Sequence, residues 1–294
     1  MEIKQILRKV RAGIFNYYAK YVFFLSTRRA NANTFLNLSL NEKLKDGHID
    51  LITVAFNSEV LINKQIDLLR THLKEKEFTH IIIDNSTFRG KRKNIKEICI
   101  QKGVSYAPVP LFINRLISTR LFNHGISHGA AINWAFYNIV SYRKPSFFGT
   151  LDHDILLTGE YSITDKFKNQ DFYGIKRDRI KGWYLWPGFS FFKYDVLKDL
   201  KINFLPYQIK DIYLDAGGSN YLCLYKNYNI NSIQFANDKL IRIQETKGLK
   251  NYNDIFHTDC IVRIDDVWVH IINGSNYTKQ EGKDIMMEKV LNRF

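Results

Sequence analysis

Cysteine is scarce in this chain. Cys99, Cys223 and Cys260 are the only three among 294 residues, an odd number with no CxxC pair. That argues against a disulfide scaffold or a cysteine-based zinc site, and for a reducing, cytoplasmic setting. With 5 prolines and 16 glycines, collagenous and low-complexity classes are excluded. No apolar run reaches the roughly 18 residues of a membrane span. The nearest, Ile14 to Leu25, is broken by Asn16 and Lys20. Ala30-Asn31-Ala32 has the small-x-small form of a signal-peptidase site. Arg28 and Arg29 stand where its apolar core should end, so a cleaved signal is not expected. Acid is also in deficit: 29 Asp and Glu against 43 Lys and Arg leave a net charge of +14.

What is abundant is apolar surface. Hydrophobic residues make up 45% and aromatics 14%, which excludes a disordered chain. At this length about three quarters of the unfolded surface can be buried. Residues 1–46 stand apart. Seven basic residues up to Arg29 (Lys4, Arg8, Lys9, Arg11, Lys20, Arg28, Arg29) face the single acid Glu2. Ile3, Ile6, Leu7, Val10, Ile14, Tyr17, Tyr18, Tyr21, Val22 and Leu25 recur mostly at three- and four-residue spacing. This is an amphipathic helix. Two readings stay open: a helix lying on an anionic membrane surface, and a helix packed on the main domain. Residues 31–45 read as a polar linker.

From residue 47 onward strands and helices alternate. Strands are expected at 49–56, 80–83, 103–108 and 146–151, and helices at 58–76, 94–102 and 127–142. The pattern implies an α/β fold with a mainly parallel sheet flanked by helices, and ligands outside the carboxyl ends of the strands. The second half is more irregular. Short strands are expected at 172–175, 188–192, 232–235 and 268–271, and helices at 195–200 and 215–226. The expected domain division is 1–46 for the basic segment and 47–294 for the main domain, with halves at 47–157 and 158–294.

The sharpest local feature is Leu151-Asp152-His153-Asp154 after a buried strand. Two carboxylates so close at a strand mouth repel unless something offsets them. A divalent cation does so, and hard oxygen ligands suit magnesium or manganese. A solvated turn is the plain alternative. The strand ends Phe56-Asn57-Ser58 and Asp84-Asn85-Ser86 also carry small polar residues, where a nucleotide can lie or a helix can be capped.

Together AFNS, IIIDNS, NHGISHGAAIN and LDHD resemble the nucleotide-sugar glycosyltransferases of the GT-A (Rossmann-like) fold, family 2 above all. The resemblance covers residues 49–157. It implies that Phe56, Asn57 and Asp84 hold the nucleobase, with Asn123 from the stretch Asn123, Gly125, Gly129, Asn133 also on the nucleotide. Asp152 would be shared between ribose and metal, and Asp154 would bind the metal. Beyond residue 157 the match is looser. Trp186-Pro187-Gly188-Phe189 looks like the loop over the donor sugar. The family's usual Glu-Asp pair is absent. Asp215, in Leu214-Asp215-Ala216-Gly217-Gly218, is the match for the catalytic base, with Gly217 and Gly218 beside donor or acceptor, and Asp211 is the other candidate. His270 matches a C-terminal histidine that reaches the metal, or is a structural histidine.

The implied activity is metal-dependent transfer, with Mn2+ or Mg2+, from a nucleoside-diphosphate sugar such as a UDP-sugar. The acceptor would be a glycan or lipid-linked, the expected outcome inversion, and the setting bacterial surface polysaccharide or lipopolysaccharide synthesis on the inner face of the cytoplasmic membrane. The alternatives are a basic binding protein for nucleic acid or membrane, and a nucleotidyltransferase. The basic run Arg89 to Lys96 (RGKRKNIK) lacks an aromatic stacking motif, so nucleic acid is not the expected partner. It reads as a solvated loop or a dock for anionic lipid or phosphate.

Overall fold

The computed structural model describes residues 3–113, 124–180, 182–209, 212–242 and 260–271. Its centre is a six-stranded sheet in the order β3-β2-β1-β4-β7-β6. Strands β1 (Ile49–Ala55), β2 (Phe78–Asp84), β3 (Ser105–Pro108) and β4 (Phe147–Asp152) run parallel. β4 is joined antiparallel to β7 (Gly182–Lys193), and β7 to β6 (Phe172–Arg179). All seven residues of β1 are buried, because both faces of the sheet are covered. Ala55 packs with Ile62 and Ile66 of α2 (Glu59–His72) and with Ile95 and Cys99 of α3 (Arg89–Gln101). Ile52 and Val54 join a different core with Ile126, Ala130 and Trp134 of α4 (His124–Ala135). Each such fully buried aliphatic side chain contributes about 1.5–3 kcal/mol. α4 continues through a π-helical turn, Phe136–Val140, to Arg143.

A second, antiparallel sheet has the order β10-β11-β12-β5, formed by β10 (Asp238–Arg242), β11 (Cys260–Ile264), β12 (Trp268–Ile271) and β5 (Ile155–Leu157). β5 begins one residue after Asp154, so the paired-carboxylate turn lies where the two sheets join. A hairpin of β8 (Tyr207–Ile209) and β9 (Ile212–Leu214) leads into Asp215.

The amino-terminal helix α1 (Ile3–Ser26) shares the main core: Phe15, Ala19 and Val22 are buried in the cluster that holds Trp134. Asn16 reaches the hairpin, donating to the Gln208 carbonyl at 3.1 Å and accepting from its N–H at 3.3 Å. Residues 31–45, read as a linker, are held down. Leu36 bridges Tyr106, and Arg143 donates to the Ser39 carbonyl and to Glu42. The same guanidinium grips Asp50 with two bonds of 2.9 and 3.0 Å, a buried fork-on-fork pair that joins β1 to the end of α4.

Several expectations need correcting. Residues 232–235 are no strand: a 3-10 turn covers Ile230–Ser232, and the Gln170 side chain satisfies both the N–H and the carbonyl of Gln234. The helix expected over 215–226 is interrupted. Gly217 takes φ +89, and only Asn220–Cys223 is α-helical. The basic run 89–96 is not a loop but the start of α3. Its Arg92 turns inward to the carbonyls of Ser86, Asp84 and Val109. No helix among the described residues is long and apolar enough to cross a membrane.

Candidate functional site

The parallel register decides where the site lies. Ala55 pairs with Asp84 and Val54 with Asp152, so the carboxyl ends of β2, β1 and β4 share one edge. Phe56 and Asn57 follow β1 on that edge. Asn57 has φ +52, and its side chain accepts from the N–H groups of Thr87 and Phe88, tying the β1 end to the β2 end. Ser86 Oγ accepts from the Asn57 N–H at 2.8 Å. Asp84 lies beneath this edge, fully buried. One of its oxygens accepts from the Ser86 N–H and the other from the Tyr106 hydroxyl. Burial against that carboxylate pushes the Tyr106 phenol well above its usual range. Asp84 thus shapes the Asn85–Ser86 turn that faces the edge. Asn123 lies outside the described residues, as does Asp211.

The two carboxylates of the β4 turn point to different partners. Asp152, with a side chain 22% exposed, has its Oδ1 3.0 Å from Nε2 of His128 on α4. Burial works to push the Asp152 carboxyl up, but His128 beside it carries it below its usual value. Burial likewise works to lower His128, and the Asp152 charge, with lesser contributions from Asp215 and Asp154, raises it. Asp154, with a side chain 6% exposed, has Oδ1 3.6 Å from His270 Nε2. Pairing of β12 with β5 sets His270 opposite Ile155, one residue from Asp154. Burial pushes the His270 imidazole down to about 4, so it is neutral at pH 7 with a nitrogen able to ligate. Its ring lies 5.0 Å from that of Trp186.

Gln65 of α2 was not expected at the site. Fully buried, it donates to the carbonyls of Asp152 at 2.8 Å and Ile155 at 2.7 Å, and accepts from Thr53 at 2.8 Å. One amide therefore clamps both ends of the Asp152–Asp154 turn. Gln65→Leu should lower unfolding free energy by about 2–3 kcal/mol in urea denaturation, since it leaves buried carbonyls without donors. A loss below about 0.5 kcal/mol would show that the turn holds itself.

Asp215 reaches the same region from the other half of the chain. Gly125, Gly129 and Asn133 lie four residues apart on α4 and so form one stripe. A β-carbon on Gly125 would collide with the Asp215 carboxylate, and one on Gly129 with the Phe204 carbonyl. Asn133 accepts from the Phe204 N–H at 2.8 Å. The stripe is thus a smooth seat for residues 203–205 and 215. Gly217 donates to the Phe204 carbonyl at 2.7 Å, and the Asp215 N–H donates to the Tyr184 hydroxyl at 3.2 Å.

Several solved structures are similar to this chain. They include S. aureus TarS (18% identity, 53% of this chain and 30% of that one, TM-score 0.34). A second is the galactosyltransferase LgtC with donor and acceptor sugar analogues (12%, 51% and 59%, 0.37). A third is the mannosyltransferase PcManGT from Pyrobaculum calidifontis with GDP-Man and Mn2+ (12%, 65% and 55%, 0.35). The chain spans less than two thirds of the length of each. No family model and no curated protein matches it. At these scores the chemistry has to be read from this chain's own side chains.

Trp186-Pro187-Gly188-Phe189, expected as a loop, lies inside β7. The ladder to β6 slips there: Gly174 pairs with Ser190 but Lys176 with Leu185. That irregularity accommodates Pro187, which has no N–H to give. The Trp186 ring leans on Gly188, and the Arg177 guanidinium lies 5.6 Å over it. Gly218 packs against Leu214, on the chain that carries Asp215. Among the described residues no three His, Cys, Asp or Glu side chains converge as a metal cage. Asp154 and His270 offer one oxygen and one nitrogen, with Asp152 close by. Such a donor set fits manganese or magnesium when phosphate and water supply the remaining ligands.

Proposed function

We propose that this chain is a metal-dependent glycosyltransferase that moves a sugar from a nucleoside diphosphate, UDP in the first instance, to a glycan or lipid-linked acceptor. The single observation that carries the reading is the meeting of two chain halves at one strand edge: the Asp152–Asp154 turn at the end of β4, and Asp215 seated on the Gly125 stripe. The charges of both act on His128 of α4.

Each group has a role in that chemistry. Phe56, Asn57 and the turn shaped by Asp84 would take the nucleobase at the strand edge. Asp154 and His270, with Asp152, would hold Mn2+ or Mg2+. A bound cation supplies charge stabilisation for the departing diphosphate. Trp186 and Gly188 would border the donor sugar, near Gly217 and Gly218. Asp215 would accept the proton of the acceptor hydroxyl as its oxygen bonds to the anomeric carbon and the carbon–phosphate-oxygen bond breaks. One displacement with one base inverts the anomeric centre. The setting that fits this chemistry is surface polysaccharide or lipopolysaccharide assembly in the cytoplasm, at the inner face of the membrane.

Thermal unfolding against a panel of nucleotide sugars, with and without Mn2+, tests the reading. A matched donor with metal, at 100 times its Kd, should stabilise by about 2.7 kcal/mol. Mn2+ alone should do far less. No shift with any nucleotide sugar in Mn2+ or Mg2+ would sink it.

A further inference from the structure

We propose that the outward face of α1 is a docking surface for anionic lipid. The helix has two apolar faces. Ala12, Phe15, Ala19 and Val22 are buried on the domain. Val10, Ile14, Tyr17, Tyr21 and Phe24 are exposed, by 48–79%. Their spacing of four, three, four and three residues keeps them in one line about 21 Å long. Five large apolar side chains in a continuous stripe differ from the isolated ones that any surface carries. Arg28 extends the line, with its guanidinium 4.7 Å over the Phe24 ring.

The charge pattern selects the occupant. From Ile3 to Asn41 there are seven Lys and Arg and no Asp or Glu. A segment so basic is complementary to anionic headgroups. The same charge disfavours a second copy, whose equally basic helix would be brought alongside. Two of the five stripe residues are tyrosines, which place a ring in the apolar layer and a hydroxyl in the wet one. The helix is not apolar enough to cross a membrane, and one face is already committed to the core. It therefore lies in the interface plane.

This surface also bears on the acceptor. α1 holds the β8–β9 hairpin through Asn16 and Gln208, with Phe15 edge-on to Tyr213 at 5.6 Å, and that hairpin leads into Asp215. The helix on the lipid thus also positions the segment of the proposed base, which suits an acceptor carried on a lipid. That link rests on the transfer proposed above; the surface itself does not.

The test uses the full chain and vesicle sedimentation. The protein should sediment with mixed phosphatidylglycerol–phosphatidylcholine vesicles, and poorly with phosphatidylcholine alone or at high salt. The triple variant Ile14→Ser, Tyr17→Ser, Tyr21→Ser changes exposed positions only. It should lower partition at least about tenfold, with circular dichroism and donor-induced stabilisation unchanged. A triple variant that partitions like its parent overturns the proposal, as does a parent that ignores anionic vesicles. A parent that self-associates in ultracentrifugation, with the variant monomeric and vesicle binding absent, assigns the stripe to a second copy and also overturns it. Vesicle binding lost in the variant, in a parent that no nucleotide sugar stabilises, leaves this surface standing and removes the transferase reading.

Discussion

Asp215→Asn is expected to lower the rate of sugar transfer by roughly 10²–10⁴ while metal-dependent donor affinity stays within about threefold. Asparagine keeps the volume that sits on Gly125, and its carbonyl oxygen can still accept the Ala216 N–H that Asp215 Oδ1 accepts at 2.8 Å. What it loses is the ability to take a proton at neutral pH. An interaction made only as the hydroxyl attacks should therefore vanish from kcat and not from binding. Single-turnover transfer and calorimetry with the donor separate the two. Gly125→Ala is a companion, because its methyl group would force the carboxylate off its seat. It should reproduce the kinetic loss without removing any ionisable group. If Asp215→Asn turns over normally, the proposed base is wrong. If it loses donor binding as well, the carboxylate is chiefly a local clamp on the Ala216 turn.

Replacing Asp154 by asparagine should cost the metal-dependent part of nucleotide affinity at least about 100-fold, more than the 10–100-fold typical of an outer-shell partner. The side chain is nearly enclosed and directed at His270, a neutral imidazole that cannot replace the lost negative charge. Stability without nucleotide should change by no more than about 1 kcal/mol, since the swap keeps shape and removes a charge held at low exposure. Titration of UDP in Mn2+ and in EDTA gives the measurement. The parent should show a large difference between the two conditions and the variant almost none. An undiminished Mn2+ effect would mean that Asp152 and the phosphates suffice, and would remove Asp154 from the metal.

Much of this was legible in local sequence. The runs 49–56, 80–83 and 146–151 read as buried strands because apolar side chains covered on both faces need no alternation, and the structure has strands at 49–55, 78–84 and 147–152. The Asp152–Asp154 turn could be placed because it is adjacent to its strand. The Gly125, Gly129, Asn133 stripe was visible as spacing, although not what it seats. His128 stood inside a quoted motif with no role, since the residue that gives it one is 24 positions away. Gln65 carried no signal at all: a glutamine on a helix is ordinary until its two N–H groups meet the carbonyls of residues 152 and 155.

The amino-terminal helix shows the division most clearly. Period and charge, which follow from neighbours three and four residues apart, are determined by the sequence alone, as are the buried parallel strands and the carboxylate pair at the end of one of them. Which apolar face of α1 would be buried was not determined there, because both faces are apolar. Packing on Trp134 and the hairpin at Gln208 chose Phe15, Ala19 and Val22, and left Tyr17 and Tyr21 in the open. The same holds for β10 and β11, which their own residues did not announce. β12 was expected at 268–271 from its own residues, but its partner was not: pairing with β5, more than a hundred residues earlier, carries His270 to Asp154. Sterics and hydration along the chain act between near neighbours, whereas the choice of partner for a face or an edge is made by whatever the rest of the fold brings against it.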